Sequence, residues 1–116
     1  MDDTKQIIWG FSNRPAKLEH VIQSCGTGWE SLISKLIIDL FNAGWNGTLF
    51  QVKEKFGTLR FYIGQGNDEI YNLISKAEKA SAKTCIDCGE EGERYYDGWI
   101  LPLCETHAKK RGREKY

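Results

Sequence analysis

The chain has 116 residues, of which 41% are hydrophobic and 12% aromatic. This composition predicts one folded domain, or one domain with a small appended module, and excludes general disorder. The 16 Lys and Arg residues balance 16 Asp and Glu residues, so no overall charge steers the protein toward nucleic acid or anionic lipid. Acidic residues follow Met1 where a signal peptide would be basic, and no apolar run approaches the roughly 18 residues of a membrane helix. We therefore expect a cytoplasmic protein that does not enter the membrane.

The first structural signals lie near the amino terminus. Apolar residues alternate at Ile7, Trp9 and Phe11. This alternation predicts a short strand or an extended arm packed on the core. Pro15 stands where a first helical residue is favoured, Ser12 or Asn13 can cap the helix, and Gly26 can end it. Together with the apolar periodicity, these residues predict a helix over about 15–25.

Two chemically interesting side chains fall in this first helix. Cys25 lies on the apolar stripe, which predicts a buried and unreactive thiol, because a free cysteine behaves as a small hydrophobic residue. His20 lies on the opposite face, without an acidic or cysteine neighbour. We expect it to be exposed and to have no catalytic role.

A second helix is predicted over about 28–43. Thr27 and Glu30 have capping-box spacing, and Gly44 supplies a stop. Apolar residues keep the helical period over four turns, from Trp29 to Phe41. This helix is therefore expected to form the centre of the core.

A β-hairpin is predicted over about 49–63, with its turn near Phe56-Gly57-Thr58. The apolar residues expected on its inner face are Phe50, Val52, Phe56, Leu59, Phe61 and Ile63. The residues expected on its outer face are Lys53, Lys55, Arg60 and Tyr62. Alternation places Glu54 on the apolar side, where an unpaired carboxylate is costly. Either the turn starts early and exposes Glu54, or a basic partner such as Arg60 holds it.

A third helix is predicted over about 68–82, after a loop in which Asn67 or Asp68 can act as the cap. Its inner face is expected to carry Ile70, Leu73, Ile74, Ala77, Ala80 and Ser81. Three lysines line one flank, Lys76, Lys79 and Lys83. Such a flank is most often a solvated surface.

The most specific pattern is formed by Cys85, Cys88, Cys104 and His107. Two cysteines separated by two residues, followed at a distance by a Cys and a His with the same spacing, predict a tetrahedral Zn²⁺ site. A redox Cys-x-x-Cys would leave the matched Cys-x-x-His pair without a role. With three cysteines assigned to metal, Cys25 remains alone, which suits a reducing compartment.

The residues around these ligands predict a zinc module over 85–116. Gly89 permits a tight knuckle, Asp97-Gly98 is a favoured two-residue hairpin turn, and a helix begins near Cys104. Knuckle, hairpin and ligand-bearing helix favour a treble clef over a two-knuckle ribbon. The basic tail after His107 can contact phosphates or form an ordinary solvated terminus.

The predicted fold is thus α+β, with helices packed on a β-hairpin in a core over 1–84 and the zinc module and basic tail over 85–116. Four protein ligands leave a zinc ion no open position, so one structural zinc is expected, without catalysis. The segment 85–116 would be too small to fold without it.

The run Val52-Lys-Glu-Lys-Phe-Gly-Thr-Leu-Arg-Phe-Tyr62, together with a preceding Trp-led helix and the Cys/His module that follows, resembles small uncharacterised zinc-binding proteins of bacteria, phages and prophages. The resemblance covers roughly residues 27–107. It implies no catalytic residue. It implies a setting in which small proteins often act by binding and blocking others.

We therefore predict a non-enzymatic protein that binds a protein partner, as an inhibitor or accessory factor, through Lys53, Lys55, Arg60 and Tyr62. The alternative is a nucleic-acid-binding protein that uses this hairpin face, the lysine flank and the basic tail. A metal nuclease would need a second histidine cluster, which the sequence lacks. The sequence does not indicate the identity of the partner or the oligomeric state.

Overall fold

The computed structural model describes residues 6–96 and 98–112, and the backbone of 114–115. Within them the predicted α+β class is confirmed. The helices are α1 (Leu18–Ile22), α2 (Glu30–Asn42), α3 (Asp68–Ser81) and α4 (Glu105–Arg111). The strands are β1 (Ile8–Trp9), β2 (Arg14–Pro15), β3 (Thr48–Lys55), β4 (Thr58–Ile63), β5 (Glu93–Tyr96), β6 (Ile100–Leu103) and β7 (Glu114–Lys115). None of the helices in these described ranges is long and apolar enough to cross a bilayer.

The strands form two small sheets. The first has the order β2-β1-β3-β4, in which β1 runs parallel to β3 and the other pairs are antiparallel. The second is antiparallel, with the order β6-β5-β7. Helix α3 packs against both β4 and α2, which places the core between the first sheet and these two helices.

The predicted helix over 15–25 is wrong at both ends, since residues 15–17 and 23–25 are not helical. Pro15 belongs to β2, where it pairs with Ile8, and the α-helix spans only Leu18–Ile22. The chain between the two short strands reverses through Asn13, whose φ is 58°, so this residue is part of a turn and does not cap a helix. The backbone amide of Ala16 then donates to the Ile7 carbonyl, at 2.8 Å. Pairing with β1 has therefore replaced the first helical turn.

Helix α2 agrees with its prediction in position but begins differently. A 3-10 turn, Thr27–Trp29, precedes it. The predicted capping box is wrong, because Thr27 Oγ1 donates a 2.8 Å hydrogen bond to the Asp87 carbonyl and makes no cap contact. Gly44 follows the helix with a φ of 99°, which confirms the predicted stop.

The predicted hairpin is confirmed as β3 and β4. Its turn residues Phe56 and Gly57 have φ angles of 53° and 81°, as a two-residue type I′ turn requires. The inner placement of Phe50 and Phe56 was wrong, since both are exposed. Leu49 pairs with Ile63 while Gln51 pairs with Tyr62, so a bulge at Phe50 shifts the alternation and Leu49 takes the buried position.

Helix α3 covers the outer edge of this hairpin. Its Asn67 cap is confirmed, because the side chain accepts from the Ile70 amide at 2.9 Å. The outward amide of Leu59 donates to Ser81 Oγ at 2.8 Å, and that of Phe61 donates to Glu78 Oε2 at 3.1 Å. Side chains of α3 thus accept hydrogen bonds from backbone amides at the open edge of β4. Without α3, these amides would be available to pair with a strand of another chain.

The carboxy-terminal module and the rest of the chain share one hydrophobic core. Cys85 and Leu103 are fully buried in the same cluster as Trp29. Trp29 Nε1 also donates to the Thr84 carbonyl at 2.9 Å. The boundary that the sequence suggested at residue 84 is therefore bridged by packing and by hydrogen bonds.

The closest approach across this bridge is at Gly28. Its amide donates to the Ile86 carbonyl at 2.8 Å. A Cβ atom at Gly28 would lie 2.1 Å from the Cys85 carbonyl oxygen and 2.7 Å from the Cys88 amide. Both are backbone atoms of a tight loop, so they cannot move aside cheaply.

We expect Gly28→Ala to lower the free energy of unfolding by about 2 kcal/mol or more, the scale of overpacking in a rigid site. Urea unfolding of the metal-loaded protein measures it. The matched control is Gly10→Ala, because the three heavy atoms nearest to its Cβ would all belong to the ring of the exposed Phe50 side chain, which can turn away. Equal stabilities of the two variants would contradict the close docking at Gly28.

Candidate metal centre

The structure brings the four predicted ligands together. Cys85 and Cys88 lie in the loop after α3, Cys104 is the residue before α4, and His107 lies in the first turn of α4. One ligand atom from each residue lies within 4.8 Å of all the others. This Cys3His cluster can hold a metal ion.

The individual distances are those of groups that surround a common point. The sulfurs of Cys88 and Cys104 are 3.7 Å apart, and His107 Nδ1 lies 3.1 Å from the Cys104 sulfur and 3.8 Å from the Cys85 sulfur. Cys85 is buried, Cys104 and His107 are half-buried, and Cys88 is exposed. The cluster therefore lies at the surface of the core, with one ligand toward solvent.

A tight backbone knuckle presents the first two sulfurs. The Gly89 amide donates to the Cys85 carbonyl at 2.8 Å, and the Cys85 amide donates to the Glu90 carbonyl at 2.8 Å. Gly89 has a φ of 83°, the left-handed conformation for which the sequence predicted a glycine. Its backbone also lies against Gly28 of the 3-10 turn.

The electrostatics of the knuckle favour one thiolate and oppose a second. Burial raises the pKa of the Cys85 thiol, but backbone amides, foremost that of Cys104, outweigh burial and lower the pKa overall. The Glu90 amide lowers the pKa of Cys88, yet desolvation and the adjacent sulfurs raise it to about 11. A cation at the centre removes this repulsion, so the donor set fits a dication.

An ion pair that the sequence did not suggest fastens the knuckle to α4. Arg111 donates from Nε and Nη2 to the two carboxylate oxygens of Asp87, at 2.8 and 2.6 Å. Asp87 stands between the first two ligands, and Arg111 is one turn beyond His107. This bidentate contact stabilises the relative position of the two ligand pairs. In the sequence, this ion pair is indicated only by an Asp inside the Cys-x-x-Cys and an Arg four residues after the His ligand.

The basic tail after His107 contains regular secondary structure. Besides Arg111, Lys109 pairs with Glu105 at 3.2 Å. The backbone of Glu114 and Lys115 forms β7 beside β5. The tail predicted after His107 is thus partly helix and partly sheet. Arg113 and Tyr116 lie outside the described residues.

The hairpin between the ligand pairs has a longer loop than predicted. Tyr96 pairs with Ile100, so three residues separate the strands, where the prediction had a two-residue Asp-Gly turn. Gly98 has a φ of 72°, and Asp97 lies outside the described residues. The additional loop residue is Trp99, whose side chain reaches the first sheet.

Trp99 explains Glu54, for which the first predicted alternative was wrong and the second was right in the partial burial but not in the basic partner. Strand β3 continues to Lys55, so the turn does not start early. Glu54 is half-buried; its Oε1 accepts from Trp99 Nε1 at 2.7 Å and its Oε2 accepts from the Gly57 amide at 2.8 Å. The Trp99 ring also stacks on Phe56, with centroids 6.2 Å apart. A neutral indole and a turn amide, not Arg60, therefore satisfy the carboxylate.

The four residues predicted for partner binding share the outer face of the hairpin. Lys53 lies directly opposite Arg60, while Lys55 and Tyr62 occupy the flanking outward positions. Lys55 and Tyr62 are exposed, and Lys53 and Arg60 are half-buried. All four side chains therefore lie on the face of the hairpin that the alternation predicted.

His20, Cys25 and the three flank lysines lie outside the metal centre. His20 is exposed. Cys25 is half-buried, less than predicted, and burial raises its pKa, which disfavours the reactive thiolate. The three flank lysines are exposed but divide between two grooves, with Lys79 and Lys83 on the β4 side and Lys76 on the α2 side.

Comparison of the chain with protein-family models, with curated proteins and with solved structures found no match.

We expect Cys88→Ser to lose most of its bound metal, because three remaining ligands hold the ion more weakly than four. Elemental analysis after gel filtration should fall from about one metal per chain to a small fraction of that. Lowering the pH should release metal from the wild-type protein, since the ligand thiolates become protonated.

The matched control is Cys25→Ser, which removes a cysteine outside the cluster. It should retain the wild-type metal content and the wild-type melting temperature. Equal metal loss in both variants, or no loss in Cys88→Ser, would refute the assigned site.

We also expect Glu54→Gln to lower the free energy of unfolding by about 1 kcal/mol, because two charge-assisted hydrogen bonds weaken. Trp99→Phe keeps a ring for the stack and removes the indole N–H. A double-mutant cycle between the two substitutions should give a coupling near 1 kcal/mol. Glu91→Gln, at an exposed acid, serves as the control. Additive effects would show that Glu54 and Trp99 act independently.

Proposed function

We propose that the Cys85, Cys88, Cys104 and His107 cluster binds one structural Zn²⁺. Two sulfurs at about 2.3 Å from a shared zinc lie about 3.8 Å apart at the tetrahedral angle, and a sulfur and a nitrogen about 3.6 Å apart. The 3.7 Å sulfur pair fits this, and the 3.1 and 3.8 Å sulfur–nitrogen distances lie on either side of the expected value. A knuckle, a hairpin and a ligand-bearing helix, in that order, also favour a module of the treble-clef type.

The proposed zinc supports a binding function more readily than a catalytic one. With four protein ligands the ion has no open position for water or substrate. The module instead orders its surroundings: the loop of its hairpin contacts the β3–β4 turn through Trp99. Zinc thereby stabilises the end of the hairpin that carries Lys55.

The proposed activity is the binding of a protein partner by the outer face of β3 and β4. The observation that carries it is the register that lines up Lys53, Lys55, Arg60 and Tyr62 on one surface. Tyrosine and arginine, present here as Tyr62 and Arg60, are among the residue types that protein interfaces favour. The protein would act as an inhibitor or accessory factor in the cytoplasm, in the bacterial or phage setting that the sequence resemblance implies.

Nucleic-acid binding is the competing function. The balanced charge of the chain gives little long-range attraction to phosphate. Arg111 and Lys109, which the tail would contribute, already form ion pairs. The protein-partner function is therefore favoured.

We expect the immobilised Lys53→Glu/Lys55→Glu variant to capture about tenfold less partner from a bacterial lysate than the wild type does. The reversed charges would repel an acidic surface on the partner. Quantitative mass spectrometry identifies the partner. Its dissociation constant is then measured with both proteins purified.

The matched control is Lys17→Glu/Lys35→Glu, which makes the same change of charge at exposed positions away from the hairpin. It should capture the partner like the wild type. Unchanged capture by the hairpin variant would sink the proposal. Retention of DNA or RNA that weakens steeply with salt, without a protein partner, would favour the competing function.

A further inference from the structure

A basic groove runs between β4 and α3 and reaches the zinc module. Its volume is about 640 Å³, within the range of ligand-binding clefts. The cationic side chains that line it come from three elements: Arg60, Lys79, Lys83 and Arg94. Glu78 is the acidic residue of its lining, and Thr58 and Ser75 contribute hydroxyl groups.

Three of these cations lack a counter-ion within the part of the chain that the structure describes. Among the described residues, no carboxylate pairs with Arg60, Lys79 or Lys83. Arg60 Nε is shielded from solvent and has no hydrogen-bond acceptor in the described part of the chain. Four cationic side chains and one carboxylate line the groove, so its lining carries net positive charge.

An apolar recess continues the groove along the same seam. Ser75 and Glu78 line both spaces. The recess has a volume of about 270 Å³. Its other lining residues are Phe61, Tyr62, Ile63, Tyr71 and Ile74. The seam thus offers an apolar site and an anion site side by side.

The way in which a ligand can bind here is restricted. The outward amides of Leu59 and Phe61 already donate to side chains of α3. A partner chain therefore cannot add to β4 as a further strand at these positions. It must be held by its side chains, with carboxylates in the basic groove and an apolar residue in the recess.

We propose that this seam binds a short acidic peptide segment with an apolar anchor residue, contributed by the protein partner; this inference rests on the proposed binding function. A peptide fits better than a nucleic acid for two reasons. The recess suits an apolar side chain and not a phosphate. Exposed acids at Glu90 and Glu91 lie on the zinc module, which also contributes Arg94 to the groove, and they repel a long polyanion.

The test is a selection from a random dodecapeptide display library on the full-length, zinc-loaded protein. We expect enrichment of sequences with several Asp or Glu residues and one aliphatic or aromatic residue. The best sequence is synthesised with a fluorescent label, and its dissociation constant is measured by anisotropy. Lys79→Glu/Lys83→Glu should weaken binding at least tenfold, and Lys79→Ala/Lys83→Ala about threefold.

The matched control is Lys76→Glu, an exposed lysine of the same helix that lines the groove on the α2 side. It should change the dissociation constant less than twofold. Circular dichroism and melting curves of every variant show whether the fold is retained, and the alanine pair keeps the test decisive if the glutamate pair does not fold.

Selected peptides without acidic residues, or acidic peptides whose binding ignores both Lys79/Lys83 variants, would overturn the inference. So would binding of a labelled 20-nucleotide single strand in place of peptides. The partner pull-down separates this failure from that of the proposed function. Capture that depends on Lys53 and Lys55 but not on Lys79 and Lys83 overturns only the peptide seam; capture that depends on neither pair overturns both.

Discussion

The contact on which most of the structure depends is the packing of the cysteine knuckle on the 3-10 turn before α2. Gly28 has no side chain because the Cys85 carbonyl and the Cys88 amide occupy the space that a Cβ would need. The hydrogen bonds from Thr27, Gly28 and Trp29 to the segment 84–87 all lie within this contact. The four Cys and His side chains of the cluster, the start of α2 and a fully buried tryptophan are therefore fixed by one backbone-to-backbone interface.

The contact between the two hairpins depends in turn on the position of the cysteine knuckle. The knuckle positions the β5–β6 hairpin, whose loop delivers Trp99 to Glu54 and Phe56. The proposed partner surface therefore has two supports: α3 along the edge of β4, and the β5–β6 hairpin at the β3–β4 turn. The turn of the first hairpin and the edge of β4 are restrained, which reduces the conformational entropy that a binding surface loses when it meets its partner.

Where the signal was local, the sequence predicted the structure well. The ligand spacing, the Asn67 cap, the Gly44 stop and the Phe56-Gly57 turn each depend on a few adjacent residues with a definite backbone preference. These features required no knowledge of what packs against them.

Where distant residues compete for the same backbone or side chain, prediction from the sequence was not possible. Thr27 has the spacing of a capping box, yet the Asp87 carbonyl, 60 residues away, takes its hydroxyl. Pro15 favours a helix start, but pairing with β1 draws it into a strand. The bulge at Phe50 reverses one side-chain alternation, and only the neighbouring strand reveals it. Glu54 depends on an indole 45 positions away along the chain.

The distance of 60 residues between Thr27 and Asp87 has a consequence for the order in which the protein folds. Closing so long a loop lowers the chain entropy before any stabilising contact has formed. The β3–β4 hairpin and α3, in contrast, form from residues that are close together in the sequence. During synthesis the 3-10 turn emerges well before the knuckle exists, so the amino-terminal half must wait, incompletely ordered, for its partner segment. Metal binding at the Cys3His cluster would then fasten the two segments late in folding, as a disulfide closes a loop in a secreted protein. The unliganded chain would present the start of α2, and not only its carboxy-terminal end, to proteases and chaperones.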